Sequence, residues 1–348
     1  MSKKRKKNSA WWLFGCLAAA ALIGSAIYVW RSGFRPTETV FLYIDEDDDL
    51  DSVCQKIEAV GNPTDMNVFR LYATVLNLKD HINTGRYEVT PDKSMLRLVR
   101  NIRNHNESPM MLVVPSVRTL NQMAGRLAHQ LMVDSASIAQ YLSDDANIED
   151  LGYTKESLPG LFIPNTYEVY WDVSTEKLIK RMQKEHAVFW NDERMNKIQD
   201  VSRYANEEMT KEKVITLASI VDSETSYNPE KPTIAALYMN RMRKGMMLQS
   251  DPTVIFALKD FSIKRVRGDH LKVESPYNTY RYKGLPPGPI RVPSIAGIDA
   301  VLNHAKNDYI YMCAKEDFSG THNYAVNYAE HQKNAAKYVR ALNARNIH

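Results

Sequence analysis

The sequence predicts an α+β chain with three parts. These are an N-terminal transmembrane helix, a small strand–helix–helix–strand subdomain, and a larger mixed α/β domain. Three observations support this prediction: residues 11–30 carry no charged side chain, residues 40–115 alternate short strand and helix patterns, and residues 116–348 are dominated by helical patterns. A chain of 348 residues is long enough for about two domains with separate cores.

The charge distribution argues against a nucleic-acid-binding protein. The formal net charge is +4, but residues 1–9 hold five positive side chains and no acid, so the remainder is near −1. Binding to a phosphate backbone requires a basic face or stripe, which this composition does not supply. A hydrophobic content of 44% with 25% charged residues is typical of a folded chain and not of a disordered one.

Residues 10–30 are predicted to form the transmembrane helix. The charge-free run has about 20 residues, the length that a helix needs to cross the hydrocarbon core. Trp11, Trp12 and Trp30 lie at its two ends, where indole rings prefer the membrane interfaces. The basic tail at residues 1–9 is expected to stay in the cytoplasm, and residues 31–39 to form a linker outside it. The alternative, a cleaved signal peptide, lacks a convincing cleavage site outside the run.

The small subdomain is predicted at residues 40–115. Two strands enclose two helices: strand 40–44, helix 50–60, helix 63–77 and strand 85–89. The acids at 45–49 precede the first helix, where negative charge favours the helix dipole. Asn62 is the expected N-cap of the second helix, with Pro63 as its first residue. A helix at 94–102 and a strand at 110–114 complete this part.

Two acids end the most distinctive helix of the larger domain. Val214, Leu217, Ala218 and Val221 recur at helical spacing and predict one buried stripe, and Asp222 and Glu224 then lie on opposite sides of its edge. A partly buried carboxylic acid has a raised pKa and can stay protonated, as a general acid must. The alternative is an acid paired with a neighbouring Lys or Arg. Periodicity does not choose between the two acids.

Two polar loops follow this helix. Gly245 is expected to end a helix at 234–243, and Asp251 with Pro252 to begin the next. The loops contain side chains that can hydrogen-bond or stack on a sugar. These are Gln249, Asp251, Tyr277, Asn278 and Tyr280. The same residue types are also common in turns, and both interpretations remain open at this point.

No metal site or cofactor is predicted. The three cysteines, Cys16, Cys54 and Cys313, form no Cys-x-x-Cys pair, which argues against a zinc ribbon or a thioredoxin-type site. The sequence contains no His-Glu-x-x-His, Walker A or Gly-x-Gly-x-x-Gly motif. His304, His322 and His331 lack a familiar ligand spacing, and we interpret them as surface or structural residues.

Six ordered segments resemble the YceG-like endolytic murein transglycosylase family. They are INTGRYEV at 82–89, LFIPNTYEVY at 161–170, LASIVDSET at 217–225, NRMRKGMMLQSDPTVIFAL at 240–258, SPYNTYRYKGLPPGPI at 275–290 and GTHNYAVNYAEH at 320–331. The resemblance implies one N-terminal transmembrane helix, a LysM-like subdomain at 40–115 and a catalytic domain at 116–348. It implies that Glu224 is the catalytic acid. The preceding acid of the family is Glu, whereas this chain has Asp222.

The resemblance implies a lyase that cleaves MurNAc–GlcNAc β-1,4 bonds of peptidoglycan and leaves 1,6-anhydroMurNAc ends. Such an enzyme would sit in a bacterial inner membrane as a single-pass protein with its catalytic part outside the cytoplasm. It would terminate nascent strands beside peptidoglycan synthases. The loop residues 249, 251, 277, 278 and 280 would bind the strand. The alternative is a non-catalytic membrane anchor that only binds peptidoglycan.

Overall fold

The structure is a computed structural model that describes residues 4–91 and 93–345, with the backbone alone at residues 4–10. The chain divides into two compact units. The N-terminal unit contains the described residues up to Met111 together with Glu168–Val173. The C-terminal unit contains Leu112–Tyr167 and the described residues from Ser174 onward. The return of 168–173 to the first unit is not indicated by the sequence.

Helix α1 spans Lys4–Arg31 and contains the predicted membrane segment. Its stretch Trp11–Arg31 is long and apolar enough to cross a membrane, and the side chains of residues 11–28 are exposed. One N-terminal apolar helix of this kind is consistent with a membrane anchor. The helix already begins inside the segment expected to be the cytoplasmic tail, and residues 1–3 of that tail lie outside the described residues.

The segment predicted as a linker, residues 31–39, packs in part against the N-terminal unit. Gly33 forms an isolated β-bridge with Ser94, and Phe34 forms another with Pro63. The side chain of Phe34 is only 1% exposed, because its ring joins the core of this unit. Burial of one aromatic side chain thus shortens the free tether after α1.

The N-terminal unit has the predicted strand–helix–helix–strand order. Its elements are β1 (Val40–Ile44), α2 (Leu50–Gly61), α3 (Met66–Val75), β2 (Gly85–Val89) and α4 (Met95–Arg103). Strand β3 (Met110–Val114) follows, and its last three residues belong to the other unit. Strands β1 and β2 pair antiparallel, from Val40 opposite Val89 to Ile44 opposite Gly85. Alternate residues of β2 are buried, as its period of two predicts.

The predicted start of α3 is wrong. Asp65 is the N-cap, and its side chain accepts a hydrogen bond from the backbone N of Asn67. Asn62 instead ends α2 in the left-handed region at φ 42°. Asparagine tolerates this conformation better than most residues, so it competes as a helix stop as well as a helix start.

The C-terminal unit is mostly helical. Its elements are α5 (Leu120–Ala128), α6 (Ser135–Ser143), α7 (Asp145–Asp150), β4 (Asn165–Val169, whose last two residues belong to the other unit), α8 (Thr175–Phe189), α9 (Asp192–Ala205), α10 (Lys211–Glu224), α11 (Lys231–Arg243), α12 (Asp251–Leu258), α13 (Ile295–Leu302), β5 (Tyr311–Ala314), β6 (His322–Ala325) and α14 (Tyr328–Ala344). Strand β3 pairs with β4, and β5 pairs with β6. Strands β5 and β6 are antiparallel. The predicted helix start at Asp251 and Pro252 is confirmed.

Helix α10 is the centre of this unit. Every residue from Val214 to Val221 is buried, because α11, α12 and α13 pack around the helix. The prediction of a single buried stripe is therefore wrong, since Thr216 and Ser219 on the expected polar side are buried too. Their hydroxyls are satisfied by backbone oxygens one turn back. A fully buried helix gives its last residues a rigid position.

Candidate active site

Glu224 is the last residue of α10, where the helix leaves the core. The next residue, Thr225, has extended backbone angles and stops the helix. Oε1 of Glu224 accepts two hydrogen bonds, from the phenol of Tyr238 at 2.6 Å and from Oγ of Ser250 at 2.5 Å. Oε2 has no hydrogen bond among the described residues and stays available to a ligand. Two donors on one oxygen fix the orientation of the carboxyl group.

The surroundings of Glu224 raise its pKa. Burial among protein atoms is the largest cause, and the negative charge of Asp251 adds to it. The hydrogen bonds from Ser250 and Tyr238 act in the opposite direction, as does the charge of His322. Within residues 4–91 and 93–345 no Lys or Arg forms an ion pair with Glu224. The balance favours a carboxylic acid that keeps its proton at higher pH than a solvated glutamate does.

Asp222 has a different environment. Its side chain is 4% exposed and pairs with Nζ of Lys231 at 2.8 Å. It also accepts hydrogen bonds from the backbone N and the hydroxyl of Ser294. These contacts engage both carboxylate oxygens of Asp222, and Asp222 does not line the cavity at Glu224. The structure thus separates the two acids that sequence periodicity leaves equivalent.

Glu224 faces a cavity of about 210 Å³. Its wall brings together three of the predicted loop residues, Gln249, Asp251 and Tyr280. The phenol of Tyr280 donates a hydrogen bond of 2.6 Å to Oδ1 of Asp251. A second carboxylate therefore lines the cavity beside Glu224, with its own tyrosine donor.

Tyr277 and Asn278 are not on the wall of this cavity. Tyr277 packs its ring on Phe256, with centroids 4.8 Å apart. Asn278 is fully buried and holds its loop together by donating to the carbonyl oxygens of Leu271 and Val273. Its Oδ1 accepts the backbone N–H of Tyr280 at 3.1 Å. Asn278 thus positions Tyr280. A direct role in substrate binding remains a prediction for Tyr277 and Asn278.

The loop before α12 is held in a strained conformation at the cavity. Gln249 has φ 51°, in the left-handed region that costs a non-glycine residue free energy. Its backbone N donates to the carbonyl of Thr279 at 3.0 Å. The buried guanidinium of Arg241 holds the same loop, with Nη1 2.8 Å from the carbonyl oxygen of Leu248 and 3.3 Å from Oε1 of Gln249. These contacts fix the loop against α11.

Sequence reasoning missed Tyr238, Ser250 and Arg241. Tyr238 and Arg241 lie in the apolar run of α11, and Ser250 lies between two residues that were predicted to bind substrate. One signal was present, because a tyrosine or arginine inside a buried helix must find partners for its polar atoms. The identity of those partners depends on packing between α10 and α11, which the sequence does not give.

His322 and Glu230 form a hydrogen-bonded pair, and a positive charge on His322 acts to lower the pKa of Glu224. Nδ1 of His322 lies 3.1 Å from Oε2 of Glu230, and the backbone N of His322 donates to Oε1 at 2.7 Å. The side chains are 16% and 11% exposed. This arrangement orients the imidazole, and a surface or structural role for His322 remains a prediction.

One group of side chains in the N-terminal unit could hold a metal ion. Ligand atoms of His105, Glu107 and Asp172 lie within 4.8 Å of one another. Hydrogen bonds account for this arrangement without an ion, since Thr84 donates to Asp172 at 2.7 Å and Nε2 of His105 lies 3.0 Å from the same oxygen. The expectation of a metal-free protein remains a prediction.

A larger cavity, of about 830 Å³, lies at the other end of α10. Its wall includes Lys211 and Glu212 from the first turn of the helix, and His186. Burial lowers the pKa of His186 to about 4, so this imidazole is neutral at ordinary pH. The perturbed acid and the converging polar groups are at Glu224 instead, which is why we place the site there.

Comparison with known proteins points to one family. Residues 42–337 match the model of the YceG-like family. An endolytic murein transglycosylase of Bacillus subtilis is 30% identical over 243 residues, which cover 64% of this chain and 64% of the relative. One from Streptococcus pneumoniae R6 is 24% identical over 331 residues, covering 85% of this chain and 58% of the relative. The match thus spans less than two thirds of each of these relatives.

A solved structure agrees with the fold. The crystal structure of a YceG-like protein from Listeria monocytogenes has a TM-score of 0.56 to this chain and is 26% identical in sequence. The similarity covers 85% of this chain and 99% of the Listeria chain. This chain therefore shares its mixed arrangement of helices and strands with a solved YceG-like protein.

Proposed function

Because the chain belongs to the YceG-like family, we propose that it is a membrane-anchored endolytic lytic transglycosylase of peptidoglycan. It cleaves MurNAc–GlcNAc β-1,4 bonds in glycan strands and leaves 1,6-anhydroMurNAc ends. The relatives named endolytic murein transglycosylase support this assignment. The observation that carries it is the environment of Glu224, where an acid with a raised pKa keeps one oxygen free at a polar cavity.

Proton donation is the first step. Protonated Glu224 gives its proton from Oε2 to the glycosidic oxygen, and the bond to the anomeric carbon of MurNAc breaks as that carbon gains oxocarbenium character. Tyr238 and Ser250 then stabilise the new carboxylate, since both donate to Oε1. Their donors are already oriented before the reaction, so little reorganisation is needed.

Ring closure is the second step. The Glu224 carboxylate accepts the proton of the muramyl 6-hydroxyl, whose oxygen attacks the anomeric carbon and closes the 1,6-anhydro ring. Glu224 regains its proton and no water is consumed. An internal hydroxyl competes with water because well-oriented intramolecular reactions reach effective molarities of about 10⁵ M or more. One acid that both donates and accepts is therefore sufficient.

Asp251 supports a second candidate function, hydrolysis. A glycoside hydrolase uses two carboxylates, and Asp251 lines the same cavity as Glu224. In that mechanism Asp251 would activate a water molecule or attack the sugar. Oδ1 of Asp251 already accepts a hydrogen bond from Tyr280, and the relatives named endolytic murein transglycosylase favour the transglycosylase assignment.

The location proposed for this activity is the outer face of a bacterial inner membrane. The basic residues before α1 favour a cytoplasmic N-terminus, and the units that follow would then lie outside the cytoplasm. Packing of Phe34 on the N-terminal unit leaves a short tether, so the enzyme would meet strands close to the membrane. We therefore propose nascent glycan strands as the substrate and peptidoglycan synthases as the partners.

The N-terminal unit is proposed to be LysM-like and to hold or orient the glycan. Its strand–helix–helix–strand order and its antiparallel β1–β2 pair support this proposal.

If Glu224 were only structural, the protein would be a peptidoglycan-binding anchor without activity.

The test uses the full chain in detergent with purified glycan strands, followed by mass spectrometry of the products. We expect 1,6-anhydro ends from the wild type and none from Glu224→Gln, which keeps the acceptor for Tyr238 and Ser250 but has no proton to lend. Asp251→Asn is the matched variant for the second carboxylate, and it should retain anhydro products. Bound but uncleaved strands with the wild type would support the anchor and contradict the proposal.

A further inference from the structure

A second, smaller cavity is lined by residues next in sequence to those of the Glu224 cavity. Its volume is about 110 Å³. Its wall contains Ser223, the residue before Glu224, and Pro252, the residue after Asp251. The two cavities therefore share the same two chain segments, the end of α10 and the start of α12.

Two guanidinium groups line the second cavity, those of Arg118 and Arg291. Arg291 donates to the carbonyl oxygen of Asp222 at 3.3 Å and to Oγ of Ser116 at 2.9 Å. Its Nε is buried without a hydrogen-bond partner. Across the residues that the structure describes, neither arginine forms an ion pair. The nearest aromatic partner of Arg118 is the ring of Phe261, 5.3 Å from its guanidinium carbon.

The cavity thus presents positive charge that the protein itself does not neutralise. Burial lowers the pKa of Arg291, and the like charge of Arg118 lowers it further, against the opposite effect of Asp222. Arginine nevertheless stays charged, so the cost of desolvating it remains until an anion binds. Apart from Ser223, the rest of the wall is apolar and includes Ile255, Phe256 and Phe261. A small anion attached to an apolar group fits these walls.

We propose that this cavity binds a carboxylate of the peptide attached to the muramyl residue that is cleaved, which rests on the function proposed above. In peptidoglycan the muramyl ring carries, through its lactyl ether, a peptide with free carboxylates. The proposal requires that, with that ring at Glu224, the peptide extends toward the second cavity. Guanidinium groups bind carboxylates through paired, charge-assisted hydrogen bonds, and the apolar wall accommodates the adjoining methyl and methylene groups.

The inference predicts a preference for strands that carry peptides. The probes are glycan strands of equal length, either peptide-bearing or stripped of peptides by an amidase. Binding is measured with full-length Glu224→Gln, which cannot cleave them. We expect the peptide-bearing strand to bind about tenfold more tightly, and Arg118→Gln in that background to reduce the ratio of affinities toward one. Arg291→Lys should act in the same direction, because an ammonium cannot reproduce the paired contact.

Matched controls distinguish the loss of an arginine–carboxylate contact from a general effect of substitution on the fold. Arg340→Gln removes an exposed arginine of α14 and should leave the affinity ratio unchanged. Peptide-bearing strands whose carboxylates are amidated should bind like stripped strands. An affinity ratio that neither arginine substitution lowers would overturn the inference, even if the wild type cleaves both strands to anhydro products. Absence of cleavage by the wild type would instead overturn the proposed function.

Discussion

The phenol of Tyr238 donates a hydrogen bond of 2.6 Å to Oε1 of Glu224, and this contact joins the middle of α11 to the end of α10. It has two effects on the acid. It fixes the direction of the carboxyl group, and it stabilises the ionised form, so the pKa is lower than burial alone would make it. Ser250 acts on the same oxygen. The pKa of Glu224 is therefore raised, but the carboxyl group can still lose its proton.

Tyr238→Phe should shift the pH dependence of cleavage. The reaction needs protonated Glu224, so activity is lost as pH rises through its pKa. Removing a donor to the carboxylate raises that pKa, and the basic limb of kcat/KM should move to higher pH by about one unit. The measurement is the pH profile of glycan cleavage. Tyr170→Phe, an exposed tyrosine of the N-terminal unit, should leave the profile in place. A limb that stays fixed or moves to lower pH in Tyr238→Phe would count against this account.

Glu224→Gln should change how stability depends on pH. The folded pKa of Glu224 is raised, so the stability tied to its proton is fully present below the unfolded pKa and is lost as pH rises through the folded pKa. Glutamine cannot ionise and does not suffer this loss. We expect the variant to gain stability relative to wild type between about pH 4 and pH 8, measured by thermal unfolding at both values. An equal difference at both pH values would be inconsistent with a raised pKa.

Asp222→Asn should destabilise the C-terminal unit. The substitution leaves Lys231 buried without its partner, and breaking a buried pair by removing one member costs about 3–5 kcal/mol. Denaturant unfolding measures this change. The exposed pair between Lys180 and Glu176 is the control, and Glu176→Gln should have no measurable effect. If both substitutions had equally small effects, Asp222 would not be the structural acid described here.

Gly288→Ala should also destabilise the protein. A Cβ at this position would lie 2.1 Å from the carbonyl oxygen of Glu156, so the backbone must shift. Overpacking of this kind costs about 1–3 kcal/mol. Gly268→Ala meets no atom within 4 Å and should not lower stability, which makes it the matched control. Unfolding midpoints that coincide for the two variants would contradict the close approach at Gly288.

Local sequence signals predicted much of the fold. Strands 40–44, 85–89 and 110–114 were predicted with the observed bounds, because short apolar runs and alternation are local properties. The helix end at Gly245 was also predicted correctly, since this residue takes a φ of 65° directly after Lys244, the C-cap of α11. Asn62 was not, since its side chain suits a helix stop as well as a start. The burial of α10 on all sides could not be predicted, because it depends on which helices surround it.

The candidate site likewise contains residues that the sequence indicated and residues that only tertiary packing brings together. The family resemblance selected Glu224, and the loops supplied Gln249, Asp251 and Tyr280, which the structure brings to one cavity. The donors to Glu224 come from a separate helix and from the start of α12, so their role depends on tertiary packing. Arg118 and Arg291 are 173 positions apart in the sequence and meet only in the folded unit. Spacing in the sequence gives no signal for such a pair.

The most direct test of the single-acid mechanism is the chemistry of the new strand ends formed in water enriched in heavy oxygen. The full chain is incubated with purified glycan strands, and the ends are analysed by mass spectrometry. The mechanism predicts anhydro ends without heavy oxygen, and no new ends with Glu224→Gln. Reducing ends that carry heavy oxygen, lost on substitution of Asp251, would show that water is the nucleophile and would contradict the account.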